Sequence, residues 1–146
     1  MTESLTALVS VIVPVYNEAT TVATVLDELV DLISETKQAA WTAPSTQRRA
    51  LFDGLKSFLA EQAVLIDDAE LRLGTTAPWI TTPTGRRSRN LASEAGGDPQ
   101  RVVELLAREL RCVVDDVRTR AATVDGEWRQ LLSTLADDLE RHVDTL

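Results

Sequence analysis

The side chains able to do metal or redox chemistry are few: Glu28, Glu61, Glu104 and Glu109 on stretches with helical periodicity, one histidine, His142, and one cysteine, Cys112. A carboxylate-bridged di-iron centre in a helical bundle takes a Glu from each of two helices and a Glu-x-x-His pair from each of the other two. Bridging carboxylates balance the metal charge there, and imidazoles complete the coordination. His142 has Leu139 three positions before it, with Asp138 one turn back and Glu140 facing elsewhere. A standard di-iron centre is therefore not expected, nor is any other cofactor. The four glutamates read as solvated flanks of apolar stripes, and His142 as a packed or partly exposed terminal residue. An atypical iron site built from some of these carboxylates with His142 is the alternative that metal analysis would test.

Cys112 has Arg108 and Arg111 close by on the same helical stretch, which would favour thiolate. It lies in mid-helix with no histidine at a fixed spacing, so it reads as a small core or boundary residue. Gln62 falls on an apolar stripe and reads as an interhelical hydrogen-bonding group. Trp41, Trp79 and Trp128 are too far apart to form a local aromatic box, and are expected to seal the ends of the bundle.

These residues sit in a chain of 146 residues, a length suited to one domain. Apolar residues make up 44% of it but aromatics only 4%, so the core must be built from Leu, Val, Ile and Ala, which favours helices. The acidic balance, net charge -8, opposes nonspecific binding to nucleic-acid phosphates or anionic lipid. The basic cluster Arg86-Arg87-Ser88-Arg89 has no interleaved aromatics and reads as a solvated loop or a partner for neighbouring acidic helices. A single cysteine excludes an intrachain disulfide and suits a reducing cytoplasm. The apolar run Ala7 to Tyr16 follows Glu3 without Lys or Arg and is about half the length of a membrane span, so neither a signal peptide nor a membrane anchor is expected.

Four segments carry helical periodicity. Val22, Val25, Leu26, Leu29, Leu32, Ile33 and Ala40 predict a helix over about 19 to 41, with Asp27, Glu28, Asp31 and Glu35 as its polar residues. Pro44 ends it, and Ser45 or Thr46 caps the next. Leu51, Phe52, Leu55, Phe58, Leu59, Gln62, Leu65, Ile66, Ala69 and Leu73 predict a second helix over about 46 to 73, stopped by Gly74. Thr75 to Thr84 reads as loop, with a short helix over 86 to 95 ended by Gly96-Gly97. Asp98-Pro99 then starts a third long helix, with Val103, Leu106, Leu110, Val113, Val117, Ala121 and Val124 on its stripe. A turn at Asp125-Gly126 leads to the last, with Trp128, Leu131, Leu132, Leu135, Leu139, Val143 and Leu146 facing inward.

Two short connections and one long one predict an antiparallel pair, a crossover and a second antiparallel pair. From about residue 22 onward the order of features resembles a bacterial ferritin-like family of unknown function with a single four-helix domain. The resemblance rests on Leu26-Asp27-Glu28-Leu29-Val30-Asp31-Leu32-Ile33, on Glu70-Leu71-Arg72-Leu73-Gly74, on Gly97-Asp98 before an acidic helix, and on Glu140-Arg141-His142 in the last one. It implies an all-α, ferritin-like antiparallel four-helix bundle over residues 19–146, with a long crossover between the second and third long helices. Residues 1–18 are expected to form an extended arm ahead of it, because Pro14 opposes a helix there and Val11-Ile12-Val13 is β-branched.

Val9-Ser10-Val11-Ile12-Val13-Pro14-Val15-Tyr16-Asn17-Glu18 by itself resembles the opening strand and nucleotide-contacting turn of family 2 (GT-A) glycosyltransferases. That resemblance implies nucleotide contacts from Pro14, Tyr16, Asn17 and Glu18. Its companions are missing: there is no Asp-x-Asp, and Asp67-Asp68 is followed by Ala69-Glu70 rather than Gly-Ser. Without metal-phosphate residues, leaving-group charge has no stabiliser. The expected function is thus a non-enzymatic bundle acting through self-association or an unknown protein partner, with a truncated or divergent nucleotide-sugar transferase as the alternative.

Overall fold

The computed structural model describes residues 2–74 and 89–146, with side chains from Glu18 to Gly74 and from Arg89 to Leu146. Four long helices and one short one occupy these residues, without a strand: α1 (Thr2–Thr42), α2 (Thr46–Leu73), α3 (Leu91–Glu94), α4 (Pro99–Ala121) and α5 (Gly126–Asp144). No helix among them is long and apolar enough to cross a membrane.

The helix boundaries follow local chemistry. Ser45 is extended (φ -143°, ψ 159°) and its Oγ accepts a hydrogen bond from the Arg48 N–H, capping α2. Gly74 ends that helix at φ 66°, a left-handed conformation that costs glycine little, with its N–H donating to the Glu70 carbonyl. Asp98 accepts from the Gln100 N–H, and Pro99 takes the first position of α4, where no amide hydrogen is needed. Asp125 makes no such side-chain cap. The α4–α5 turn is fastened instead by Arg129, whose guanidinium donates to the carbonyls of Ala121, Ala122 and Val124.

The extended arm expected over residues 1–18 is instead the start of α1, and the helix runs without a break across the expected boundary at residue 18. The physical reason is hydrogen bonding. An isolated extended segment leaves its amides and carbonyls without a ladder partner, whereas a helix satisfies them locally. Against that, β-branched residues lose only a few tenths of a kcal/mol each in a helix, about 0.7 at most. Pro14 removes one intrahelical bond without ending the helix. With 41 residues against 28, 23 and 19 for α2, α4 and α5, α1 is the longest helix, at about 60 Å.

Side-chain contacts fix the order of the helices. α1 turns back into α2 through Ala43-Pro44-Ser45, and α4 into α5 through residues 122–125. Glu28 reaches Arg120 on α4. Farther along α1, Glu35 lies near Glu109 on α4, so α1 and α4 are antiparallel neighbours. Arg72 meets Glu127, and Phe58 meets His142, so α2 and α5 are antiparallel too. The core between them is almost entirely Leu, Val and Ala, with Phe52 and Trp128 its only buried aromatic residues among those described. Buried Thr24 and Thr36 satisfy their hydroxyls on the carbonyls of Thr20 and Leu32, one turn back.

The predicted stripes of α4 and α5 are buried, apart from half-buried Leu131 and Leu146. α2 departs from its prediction. Phe52, Leu55, Leu59, Ile66 and Ala69 are buried, but Leu65 is 53% and Leu73 37% exposed, beside Val64 at 58% and Leu71 at 79%. Ile66 and Ala69 take the core side in that part of the helix, which rotates Leu65 outward by one position. The short helix expected over 86–95 covers only Leu91–Glu94, and residues 86–88 lie outside those described.

Candidate polar site between α1, α3 and α4

Beside its apolar stripe, α1 carries a second row at steps of three and four: Thr24, Glu28, Asp31, Glu35, Gln38 and Thr42. All six are buried or half-buried, because this face meets α4 and the α3 segment rather than water. Glu35, one of the polar residues between the apolar positions of α1, is only 2% exposed.

Glu35 is the centre of the site. Its Oε1 accepts from the Arg89 N–H at 3.3 Å, and its Oε2 is buried without a hydrogen-bond partner among the described residues. Burial is the main reason that its pKa rises to about 7 from an ordinary 4.5. The Arg89 amide bond opposes that rise, the charges of Glu109 and Asp31 add to it, and the Arg89 guanidinium opposes it again. One turn on, Gln38 clasps the same segment: its Nε2 donates to the Arg89 carbonyl at 2.8 Å, and its Oε1 accepts from the Leu91 N–H at 2.7 Å.

Arg89 gathers the remaining acids. Its guanidinium donates to both carboxylate oxygens of Glu94 at 3.0 and 3.1 Å and bonds Glu109. Those hydrogen bonds, Glu94 first, raise its pKa further above the ordinary arginine value. Asn90 caps α3 by accepting from the Ser93 N–H, and Leu91 is fully buried in the common core. Farther along the seam, Arg120 bonds Asp116 at 2.7 Å and lies 3.8 Å from Glu28.

The metal candidates are dispersed. Glu28 faces Arg120, Glu61 is exposed, Glu104 pairs with Arg101 on its own helix, and Glu109 pairs with Arg89. His142 packs its ring on Phe58 with centroids 4.4 Å apart, and burial lowers its pKa from the ordinary 6.5. Among the described residues no group of three or more His, Cys, Asp or Glu is placed to hold a metal ion.

Cys112 is exposed rather than at a core or boundary position. It lines a shallow groove of about 480 Å³ with Arg101, Arg108, Arg111, Val143 and Leu146. Trp41, expected to seal a bundle end, is 69% exposed, with the Lys37 ammonium 5.1 Å from its ring centroid. Trp128 is buried as expected, though its indole N–H has no hydrogen-bond partner. Gln62 is half-buried, and Trp79 lies outside the described residues.

Pro14, Tyr16, Asn17 and Glu18 lie within about one turn of α1 rather than at the end of a strand, and the side chains of the first three lie outside those described. Asp67 and Asp68 are likewise exposed helical residues of α2.

The residues that sequence reasoning missed are Glu35, Gln38 and Arg89. The readable signal was the second polar row at three-and-four spacing, which a helix presents as one face just as it does an apolar stripe. No protein-family model, curated protein or solved structure matches the chain.

Proposed function

We propose that this protein is a ferritin-like helical bundle that acts through assembly with a second copy of itself, without di-iron chemistry. The antiparallel pairs α1/α4 and α2/α5 make α2 and α4 run in the same direction. Parallel second and third long helices are what a ferritin-like topology requires, and this supports the reading. Where α1, α3 and α4 meet, the Arg89 guanidinium supplies the positive charge to Glu94 and Glu109.

The observation that carries the assembly reading is the exposure of Val64, Leu65 and Leu71 within eight residues of α2. Single exposed leucines are ordinary, but neighbouring ones on one helix mark an interaction surface. The second copy is favoured as occupant by the sequence of α1. Antiparallel to α2 and 13 residues longer, α1 outruns it at its start, where the sequence from Leu5 to Val15 is apolar but for Thr6, Ser10 and Pro14. A helix apolar on nearly every side needs covering on more than one. A twofold pairing would bury both stretches with one self-complementary patch. Since each copy carries net charge -8, the attraction has to be apolar, and screening by salt strengthens it.

Size-exclusion chromatography with light scattering tests this. The parent chain is expected at twice the monomer mass or more in 0.5 M salt, and a Leu65→Ser/Leu71→Ser variant at the monomer mass with its helix content retained. A monomeric parent at high micromolar concentration overturns the assembly reading.

A further inference from the structure

We propose that the segment Arg89–Glu94 is a proton-responsive strap, docked on α1 while Glu35 beneath it is neutral and loosened when Glu35 ionises. The geometry is a clasp with one discordant member. Gln38 holds the segment through two backbone hydrogen bonds, Leu91 plugs it into the core, and Arg89 ties it to Glu109 on α4. Glu35 lies under the same backbone, bonded through one oxygen to the Arg89 N–H, with the other oxygen buried and without a partner among the described residues.

An ionised carboxylate with an unpartnered oxygen out of water is costly, whereas a neutral carboxyl carries far less of that penalty. Among the described residues, the charged groups facing Glu35 are Asp31 on its own helix, Glu109 from α4 and Arg89 from the strap, two like charges against one opposite. Lifting the strap lets water reach the carboxylate. Docking therefore takes up a proton and release gives one off.

The sign and size follow from linkage. Glu35 titrates at about 7 when covered and near 4.5 when hydrated, so raising the pH between these values favours the lifted strap. If lifting hydrates Glu35 fully, the docking equilibrium weakens about 30-fold between pH 5.5 and 8.5.

Amide hydrogen exchange of the full chain by NMR, normalised to intrinsic rates, reads this at the Leu91 N–H. The expected result is a protection factor that falls as pH rises from 5.5 to 8.5 in the parent and stays flat in Glu35→Gln. Glu109→Gln provides a second reading: removing a repelling carboxylate and releasing Arg89 toward Glu35 shifts the midpoint to lower pH. A flat profile in the parent, the same fall in Glu35→Gln, or an unmoved midpoint in Glu109→Gln overturns the strap.

Discussion

The α4–α5 hairpin and the α1 face that meets α3 and α4 use the same spacing of three and four residues, yet they fill it with opposite chemistry. In the hairpin that spacing carries Leu106, Leu110, Val117, Leu132, Leu135 and Leu139, each nearly or fully buried. On α1 it carries Glu28, which meets the Arg120 guanidinium, Glu35 and Gln38, which meet strap backbone, and Asp31, whose charge acts on Glu35. An apolar stripe needs only to be covered, and any helix of suitable shape will cover it. A polar row has to be answered atom by atom, and the Glu35 Oε2 is left over.

The hairpin side of this contrast breaks most visibly on truncation. Leu132, with no exposed surface, packs in the common core, and Leu132→Ala is expected to cost about 2–5 kcal/mol in urea unfolding. A loss below about 1 kcal/mol would mean that the hairpin core is not closed as described.

The polar side is sharpened by pH. A carboxyl whose folded pKa lies above its unfolded value binds more protons in the folded state between the two. Its contribution is complete below about 4.5, is lost as pH rises to about 7, and is flat beyond. Across that window the parent is expected to lose roughly 3 kcal/mol relative to Glu35→Gln, measured as the difference between their unfolding free energies at each pH. Parallel stability curves for the two proteins would contradict the burial of Glu35. Taking the difference matters because exposed carboxylates such as Glu140, whose pKa is lowered by its hydrogen bonds to Arg118, act in the opposite sense.

The smallest effect belongs to surface pairs that resemble the seam only in their chemistry. Arg72 donates to both oxygens of Glu127 at 2.6 and 2.8 Å, but both side chains are about half exposed. Arg72→Ala is expected to change stability by at most about 1 kcal/mol, and less in high salt. A larger loss would place that pair with the buried seam rather than the solvated surface.

Much of the fold was legible in the residues. The helix over 46–73, its Ser45 cap and Gly74 stop, the Asp98-Pro99 start and the buried stripes of α4 and α5 all follow from local hydrogen bonding and periodicity. The start of α1 was misread because β-branched residues and Pro14 were weighed as local preferences. The helix there extends an amphipathic one already formed, which removes the cost of nucleation. Leu65 was misread because two adjacent apolar residues share a stripe on paper, and only packing selects Ile66 for the core.

The sequence by itself determined an all-helical chain, the ends of most of its helices and a core of aliphatic residues, because capping, turn conformation and amphipathic spacing act over a few residues. Only the tertiary structure decided that Glu35 lies under the Arg89–Glu94 segment. A charged residue at helical spacing reads the same whether its face meets water or another element. Whether it is desolvated depends on a contact between residues more than fifty positions apart, which no local preference encodes.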